Sequence, residues 1–370
     1  MDQVRIGVIG CGGMARAHMN VFKDIPEIRF TAASDVFDAN LKTVVDEFGV
    51  KGFSDGHELI NSGECDAVVI ATPHYFHPTY SIAAMEAGLH ALTEKPVSVT
   101  AKAAADANAC AAAHPELKFA VMFQLRTGAQ NKAIKQIIDS GQLGELRRVQ
   151  WTATNWFRTQ AYYDSGSWRA TWEGEGGGVL LNQCPHDLDL LWWFAGSPKR
   201  ITANISLGKY HDIEVEDDVT AMLEYPNGAT GVFIASTGES PGTSFIEFVG
   251  DRGKLTVKRG EPLEFMQTNG SVDAFCRGTP QKWANLELTK MSIDPPNVNA
   301  SHKTIHENFI RAIIDDEPLI APATEGLHSV EMANAMIMSG IEGRPIDVPT
   351  DHDAYERMLQ GLIEESKAKV

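Results

Sequence analysis

The stretch VRIGVIGCGGMARAHM, residues 4–19, leaves little choice about what this chain folds into. Val4, Ile6, Val8 and Ile9 read as a buried strand, and ARAHM reads as the start of a helix. Between them stands Gly10-x-Gly12-x-x-Ala15. Gly10 permits a tight turn. Gly12 lets a ligand approach the backbone closely, and Ala15 lets helix and strand pack together. Gly13 and Met14 open the helix. Its first N–H groups and positive dipole end are suited to a phosphate.

Such a glycine motif is short and also arises by chance, so its surroundings decide its meaning. A second strand, IRFTAASD, ends in Asp35, 20 residues beyond Ala15. A carboxylate there can accept both hydroxyls of the NAD ribose and repels the 2′-phosphate of NADP. Val36 and Phe37 follow, with no arginine to receive that phosphate. The alternative role for Asp35 is a loop cap. Further βα units succeed one another. CDAVVIATP is a strand ending at Thr72 and Pro73, HPTYSIAAMEAG its helix, and LHALTEKP the next strand. AKAAADANACAAAHPE is an alanine-rich helix, and LKFAVMFQ one more strand. This alternation predicts a doubly wound parallel sheet of Rossmann type. Ligands bind such sheets at the carboxyl ends of the strands. That edge gathers Gly10, Gly12, Gly13, Met14, Asp35, Thr72, Pro73, His77, Glu94, Lys95 and Gln124.

The rest of the chain has a different rhythm. TGAQNKAIKQIIDSGQLG predicts a helix, and LRRVQWTATNW alternates with Val149, Trp151 and Ala153 on one face. Later strands are separated by turn signals at Pro226-Asn227-Gly228 and Asp251-Arg252-Gly253. The pattern predicts an α+β domain with a large, mostly antiparallel open sheet. Residues 270–300 show no clear period and read as a long loop, with helices returning near Ser301. The expected division is 1–123, 124–350 and a C-terminal helix over 351–370. Net charge is −17, which argues against nucleic acid or an anionic membrane as partner. The five cysteines form no C-x-x-C pair, so neither zinc nor a disulfide framework is expected. No apolar run has membrane-spanning length. The chain enters a strand at once, so no signal peptide is expected and the cytoplasm is the expected compartment.

GGGVLLNQCPHDLDLLWWFAG, residues 176–196, mixes glycines, Asn182, His186 and a run of buried-type residues. Asn182 and His186 would lie one turn apart if the helix began early enough. Upstream, Trp156, Tyr162, Tyr163, Trp168 and Trp172 cluster with Arg158 and Arg169. Aromatic faces suit the C–H faces of sugars, and arginines suit hydroxyls or carboxylates. Tyr163, Trp168 and Arg169 are read as site residues because they precede the glycine run. Trp156 and Trp172 fit packing equally well. His74 and His77 lack an accompanying carboxylate pair, so no metal is expected. His18 reads as a packed or surface residue.

ATPHYFHP, LTEKPVSVT and GEGGGVLLNQCPHDLD, together with the glycine turn, resemble the glucose-fructose oxidoreductase / inositol dehydrogenase / rhizopine-catabolism (Gfo/Idh/MocA) family. The resemblance extends to the closing segment HENFIRAIIDDEPLIAPATEGLHSVEMANAMIMSG. It implies that Lys95 is a catalytic lysine, that Glu94 lies near the nicotinamide ribose and that His186 faces substrate. Asn182 stands where many relatives carry aspartate. An amide does not take a proton at neutral pH, but it does hydrogen bond to a hydroxyl. Gln124-Leu125-Arg126 resembles a segment at the site, which makes Arg126 a substrate contact. The resemblance further implies NAD as cofactor, a small sugar or polyol as substrate, and a homodimer or homotetramer formed through the open sheet. Three outcomes share these parts: dehydrogenation of a sugar, cyclitol or glycoside; glycoside hydrolysis through transient oxidation; and a nucleotide-bound sugar sensor. Asp35→Ser is expected to narrow a preference for NAD over NADP, read from steady-state rates with each cofactor. Equal use of both by the unmutated chain would remove the role given to Asp35.

Overall fold

The structure is a computed structural model that describes residues 3–294 and 299–368. The chain divides into two compact units. One comprises residues 1–127, 174–176 and 300–330, and the other 128–173, 177–299 and 331–370. A single boundary after residue 123 therefore does not describe it. Residues 300–330 rejoin the first unit because Ile305, Phe309, Ile310, Ala321 and Ala323 bury their side chains in its core. That apolar surface has to leave water somewhere, and the covering helix of the first unit is where it does so.

The first unit begins with β1 (Val4–Ile9), α1 (Gly13–Phe22), β2 (Ile28–Ser34), α2 (Asp38–Phe48), β3 (Lys51–Phe53) and α3 (Gly56–Ile60). It continues through β4 (Ala67–Ile70), α4 (Phe76–Glu86), β5 (His90–Thr93), α5 (Ala101–Ala113) and β6 (Phe119–Val121). The six strands pair in parallel in the order β3-β2-β1-β4-β5-β6. All four residues of β4 are buried, as expected for a strand covered on both faces.

The second unit carries α6 (Ala129–Asp139), β7 (Leu146–Ala153), α7 (Gln160–Tyr163) and α8 (Pro185–Ala195). Then come β8 (Arg200–Leu207), β9 (Glu216–Glu224), β10 (Thr230–Ser236), β11 (Ser244–Gly250), β12 (Gly253–Lys258), β13 (Leu263–Thr268), α9 (Val272–Gly278) and β14 (Leu288–Ile293). After α10 (His302–Asp315) of the first unit, the chain ends with α11 (Gly326–Glu342), β15 (Ile346–Asp347) and α12 (His352–Lys367). Nine strands form one sheet in the order β14-β13-β12-β11-β7-β10-β9-β8-β15. Only β7 and β10 pair in parallel. Val149, Trp151 and Ala153 are buried along β7, as their alternation predicts.

The stretch expected as one long loop over 270–300 is interrupted by α9 and β14, and β14 pairs with β13 from Leu263↔Ile293 to Thr268↔Leu288. The sequence hides them for a physical reason. α9 buries none of its residues, and β14 is an edge strand exposed at four of its six positions. No core imposes a period on either. Residues 295–298 of that stretch lie outside the described residues. No helix among the described residues is long and apolar enough to cross a membrane.

The glycine run also has a packing explanation. A Cβ on Gly176 would meet Val99 at 2.1 Å, and one on Gly178 would meet the Glu216 carbonyl oxygen at 2.0 Å. The backbone does approach something closely here, and what it approaches is the protein itself. Gly178→Ala is expected to cost about 2 kcal/mol or more, because the obstacle is main chain that cannot rotate away. Urea unfolding of that variant beside Gly12→Ala, whose Cβ would meet nothing within 4 Å, measures the difference.

Candidate functional site

In the first unit, the carboxyl edge of the sheet converges on the glycine turn. Gly10 has φ 94°, and a Cβ there would strike the Ala71 carbonyl oxygen at 2.5 Å. Gly12 and Gly13 face open space. No side chain caps the start of α1, so its first amides are presented toward that space. Asp35 is a loop cap as well as a ribose candidate. One oxygen accepts from the Cys11 amide at 2.7 Å and the other from the Phe37 amide at 2.7 Å. A carboxylate has about four acceptor sites, so lone pairs remain for a ribose diol. The hydroxyls of Ser34 and Thr72, at the ends of β2 and β4, are buried with no hydrogen-bond partner among the described residues. These features fit a dinucleotide: an open glycine cradle, uncapped amides, a carboxylate and hydroxyls with bonding capacity to spare.

Beyond β5 the chain turns through Glu94, Lys95 and Pro96, with Lys95–Pro96 in the cis form. The Lys95 amide donates to Glu94 Oε2 at 3.1 Å. His77 bridges two strand ends, with Nδ1 2.6 Å from the Pro96 carbonyl and Nε2 2.8 Å from the Thr72 carbonyl. His74 lies beside it, with Nδ1 3.2 Å from the Glu175 carbonyl. Burial, reinforced by His77 and Lys95, pushes the His74 imidazole down to about 3. Glu94 is held down at about 2: burial opposes its charge, but His18 and Lys95 outweigh it. Arg126 is buried, pairs with Glu325 and donates to the Ile320 carbonyl at 3.3 Å. Its visible partners thus close the first unit on itself. Gln124 opens the short 3₁₀ turn Gln124–Thr127 that precedes them.

In the second unit, Asn182 and His186 do not share a helical turn. Asn182 lies in a π-helical turn, Val179–Gln183, which ends at Cys184 before α8 begins. Glu216 sets this turn, its Oε1 accepting from the amides of Gly178 at 2.8 Å and Leu180 at 3.1 Å. Such π turns recur at functional sites. Asn182 Oδ1 accepts from Tyr162 at 3.3 Å and from Gln183 at 3.0 Å. Tyr162 receives in turn from Arg169 at 3.0 Å. The Arg169 guanidinium lies 4.7 Å from the Tyr162 ring centre and 4.6 Å from that of Trp168. A ladder of Trp168, Arg169, Tyr162 and Asn182 results, in which Trp168 is exposed.

Tyr163 turns into the packing instead, bonding Thr237 at 2.9 Å. Trp172 is buried, its amide held by Glu214. Trp156 and Trp151 each donate at 3.0 Å to Asp187, the neighbour of His186. Burial pushes that carboxyl up to about 6. Tyr162, Asp187 and Glu216 were not singled out as site residues from sequence. Adjacency to Tyr163 and His186 was a usable signal for the first two, and nothing local marks Glu216.

Residues 4–123 match the oxidoreductase family with an NAD-binding Rossmann fold, and residues 131–256 match the GFO/IDH/MocA C-terminal domain. The chain is similar to D-apiose dehydrogenase of Rhizobium rhizogenes, 25% identical, with 94% of this chain and 98% of that one covered. Inositol 2-dehydrogenase of Rubrobacter xylanophilus is 28% identical over 94% of each chain. Among solved structures, the WlbA dehydrogenase of Bordetella pertussis, in complex with NADH and UDP-GlcNAcA, is 25% identical with a TM-score of 0.78, covering 94% of this chain and all of that one, 100%.

The buried groups of the first unit set a direction for acid sensitivity. His74 titrates near 6.5 when unfolded and near 3 when folded, and His306 is also held well below 6.5 by burial. As pH falls, the unfolded chain takes these protons first. Their contribution to stability is complete above pH 6.5 and is withdrawn between there and the folded values. Urea midpoints should therefore fall steadily from pH 7 to pH 5, and less steeply in His74→Gln. An equal slope in that variant would contradict the assignment to His74.

Proposed function

The chain belongs to the GFO/IDH/MocA oxidoreductase family, and from that premise we propose that it oxidises a secondary hydroxyl of a sugar, cyclitol or glycoside. NAD, when bound, supplies the hydride acceptor. The first unit would hold it through Gly10, Gly12, Gly13, Met14, Asp35, Thr72, Pro73, His77, Glu94 and Gln124. Lys95 and His186 carry the proton of the substrate hydroxyl, with Lys95 taking it first. Asn182 binds a hydroxyl without titrating, its orientation set by Tyr162 and Gln183. Trp168 and Arg169 supply an aromatic and cationic contact for the sugar. A homodimer or homotetramer built on the open face of the nine-stranded sheet belongs to the same proposal.

What carries the reading is Lys95. It stands beside Glu94 at the carboxyl end of β5, on the edge of an NAD-binding sheet where ligands collect. The named relatives are dehydrogenases of an apiose, an inositol and, in the solved complex, a chain holding a nucleotide sugar. They support a polyhydroxylated substrate as a class.

A panel of inositols, aldoses, uronic acids and glycosides with NAD, followed by NADH absorbance, tests the activity. Net NADH from an unsubstituted sugar or cyclitol is the expected result. Glycoside cleavage without net NADH would favour transient oxidation instead. Lys95→Ala and His186→Ala should each lose about 100-fold or more in kcat, with NAD affinity by calorimetry little changed. The double variant should be barely worse than either single one, because residues acting as a unit are not additive. Near-normal kcat in Lys95→Ala would refute its role. Failure of that variant to bind NAD would make Lys95 a cofactor anchor.

A further inference from the structure

Behind the Glu94–Lys95 corner lies a row of buried imidazoles that the proposed chemistry does not use. His18 of α1 and His306 of α10 are 0% and 1% exposed. His18 Nε2 is 2.9 Å from Glu94 Oε1, and His18 Nδ1 is 2.9 Å from His306 Nε2. The His302 ring lies 5.7 Å from that of His18. Phe22 closes the other side, its ring 5.1 Å from His306.

The carboxylate fixes one end of this row. The Glu94 carboxylate only accepts, so His18 Nε2 must donate. In a neutral His18, Nδ1 is then an acceptor, and His306 Nε2 must donate to it. In that neutral state both rings carry their hydrogen on Nε2, and each donor points toward Glu94. The carboxylate is bonded on one oxygen by His18 and on the other by the Lys95 amide. Both its rotation and its plane are thereby set.

We propose that His18, oriented by His306, is a positioning residue for the cofactor site. It fixes the Glu94 carboxylate so that its remaining lone pairs meet a hydroxyl of the bound dinucleotide. This rests on the NAD-dependent reading above. It assigns work to α10, a helix more than 200 residues further along the chain. Without the His18 donor, a buried carboxylate loses the hydrogen bond that opposes its desolvation, and its proton affinity rises. The other titratable groups around Glu94 are Lys95 beside it, His302 and His306 on α10, and His74 and His77 near the start of α4. Of the histidines, His74, His77, His302 and His306 are all shifted toward the neutral form.

The test is NADH binding by fluorescence between pH 5.5 and 8.5, on the full chain, with thermal unfolding recorded in parallel. The variants are His18→Gln, His18→Leu, Glu94→Gln and the double changes. A glutamine amide reproduces the Nε2 donor. His18→Gln should stay within about threefold of wild type at every pH, while His18→Leu should weaken NADH about tenfold and acquire a low-pH limb. His18→Leu in the Glu94→Gln background should add little, since both remove one coupled interaction. Full additivity would overturn the proposal, as would a His18→Leu profile that overlies wild type. If His18→Leu does not fold, His18→Asn, whose shorter amide does not reach Glu94, takes its place in the cycle, and full additivity with Glu94→Gln overturns the proposal. A wild-type chain that does not bind NADH at all overturns the cofactor reading and this inference with it.

Discussion

A parallel sheet ordered β3-β2-β1-β4-β5-β6 sends the chain away in opposite directions after β1 and β4. The crevice left at that switch point is the constraint on which the first unit depends. Strand ends there must expose backbone to a ligand while the strands behind them stay dry. The structure ties each end down with a side chain. Asp35 holds the Cys11 amide, His77 spans the Thr72 and Pro96 carbonyls, and Glu94 holds the Lys95 amide. Gly10 closes against the Ala71 carbonyl, where no other residue fits. These ties are short and at least partly buried. Loss of a partner would leave a polar group desolvated, so the crevice is stiff where a cofactor needs stiffness.

The second unit solves a different problem. It presents an amide and an imidazole from a segment that changes helical type between them. Glu216 anchors the π turn from below through two main-chain amides, bonds of the charge-assisted kind. Asp187 anchors α8 by gathering two indole N–H groups from β7 and the segment after it. Asn182 and His186 are therefore placed by two independent supports. The glycines before them serve this packing, since Gly178 lies against the main chain of β9.

Legibility followed the reach of the interactions. The Rossmann strands were readable because burial on both faces writes continuous apolar runs, and β7 was readable because burial on one face writes alternation. α9 and β14 were not, since exposed elements write no pattern. Tyr162 and Tyr163 are adjacent and chemically alike, yet one meets Asn182 and the other Thr237. Only the direction of each side chain separates them.

The sequence by itself determined the glycine turn, the acidic residue after β2, the Glu94-Lys95-Pro96 corner and the change from parallel to antiparallel architecture. Each is a local pattern in which a few neighbouring residues meet one steric or hydrogen-bonding demand. The tertiary structure alone decided that residues 300–330 return to the first unit, that Arg126 pairs with Glu325, and that His306 stands behind His18 and Glu94. Those partners are separated by 199 to 288 positions. No periodicity spans such a distance. They meet because the apolar face of α10 has to be buried, and the cover of the first sheet is where that burial occurs.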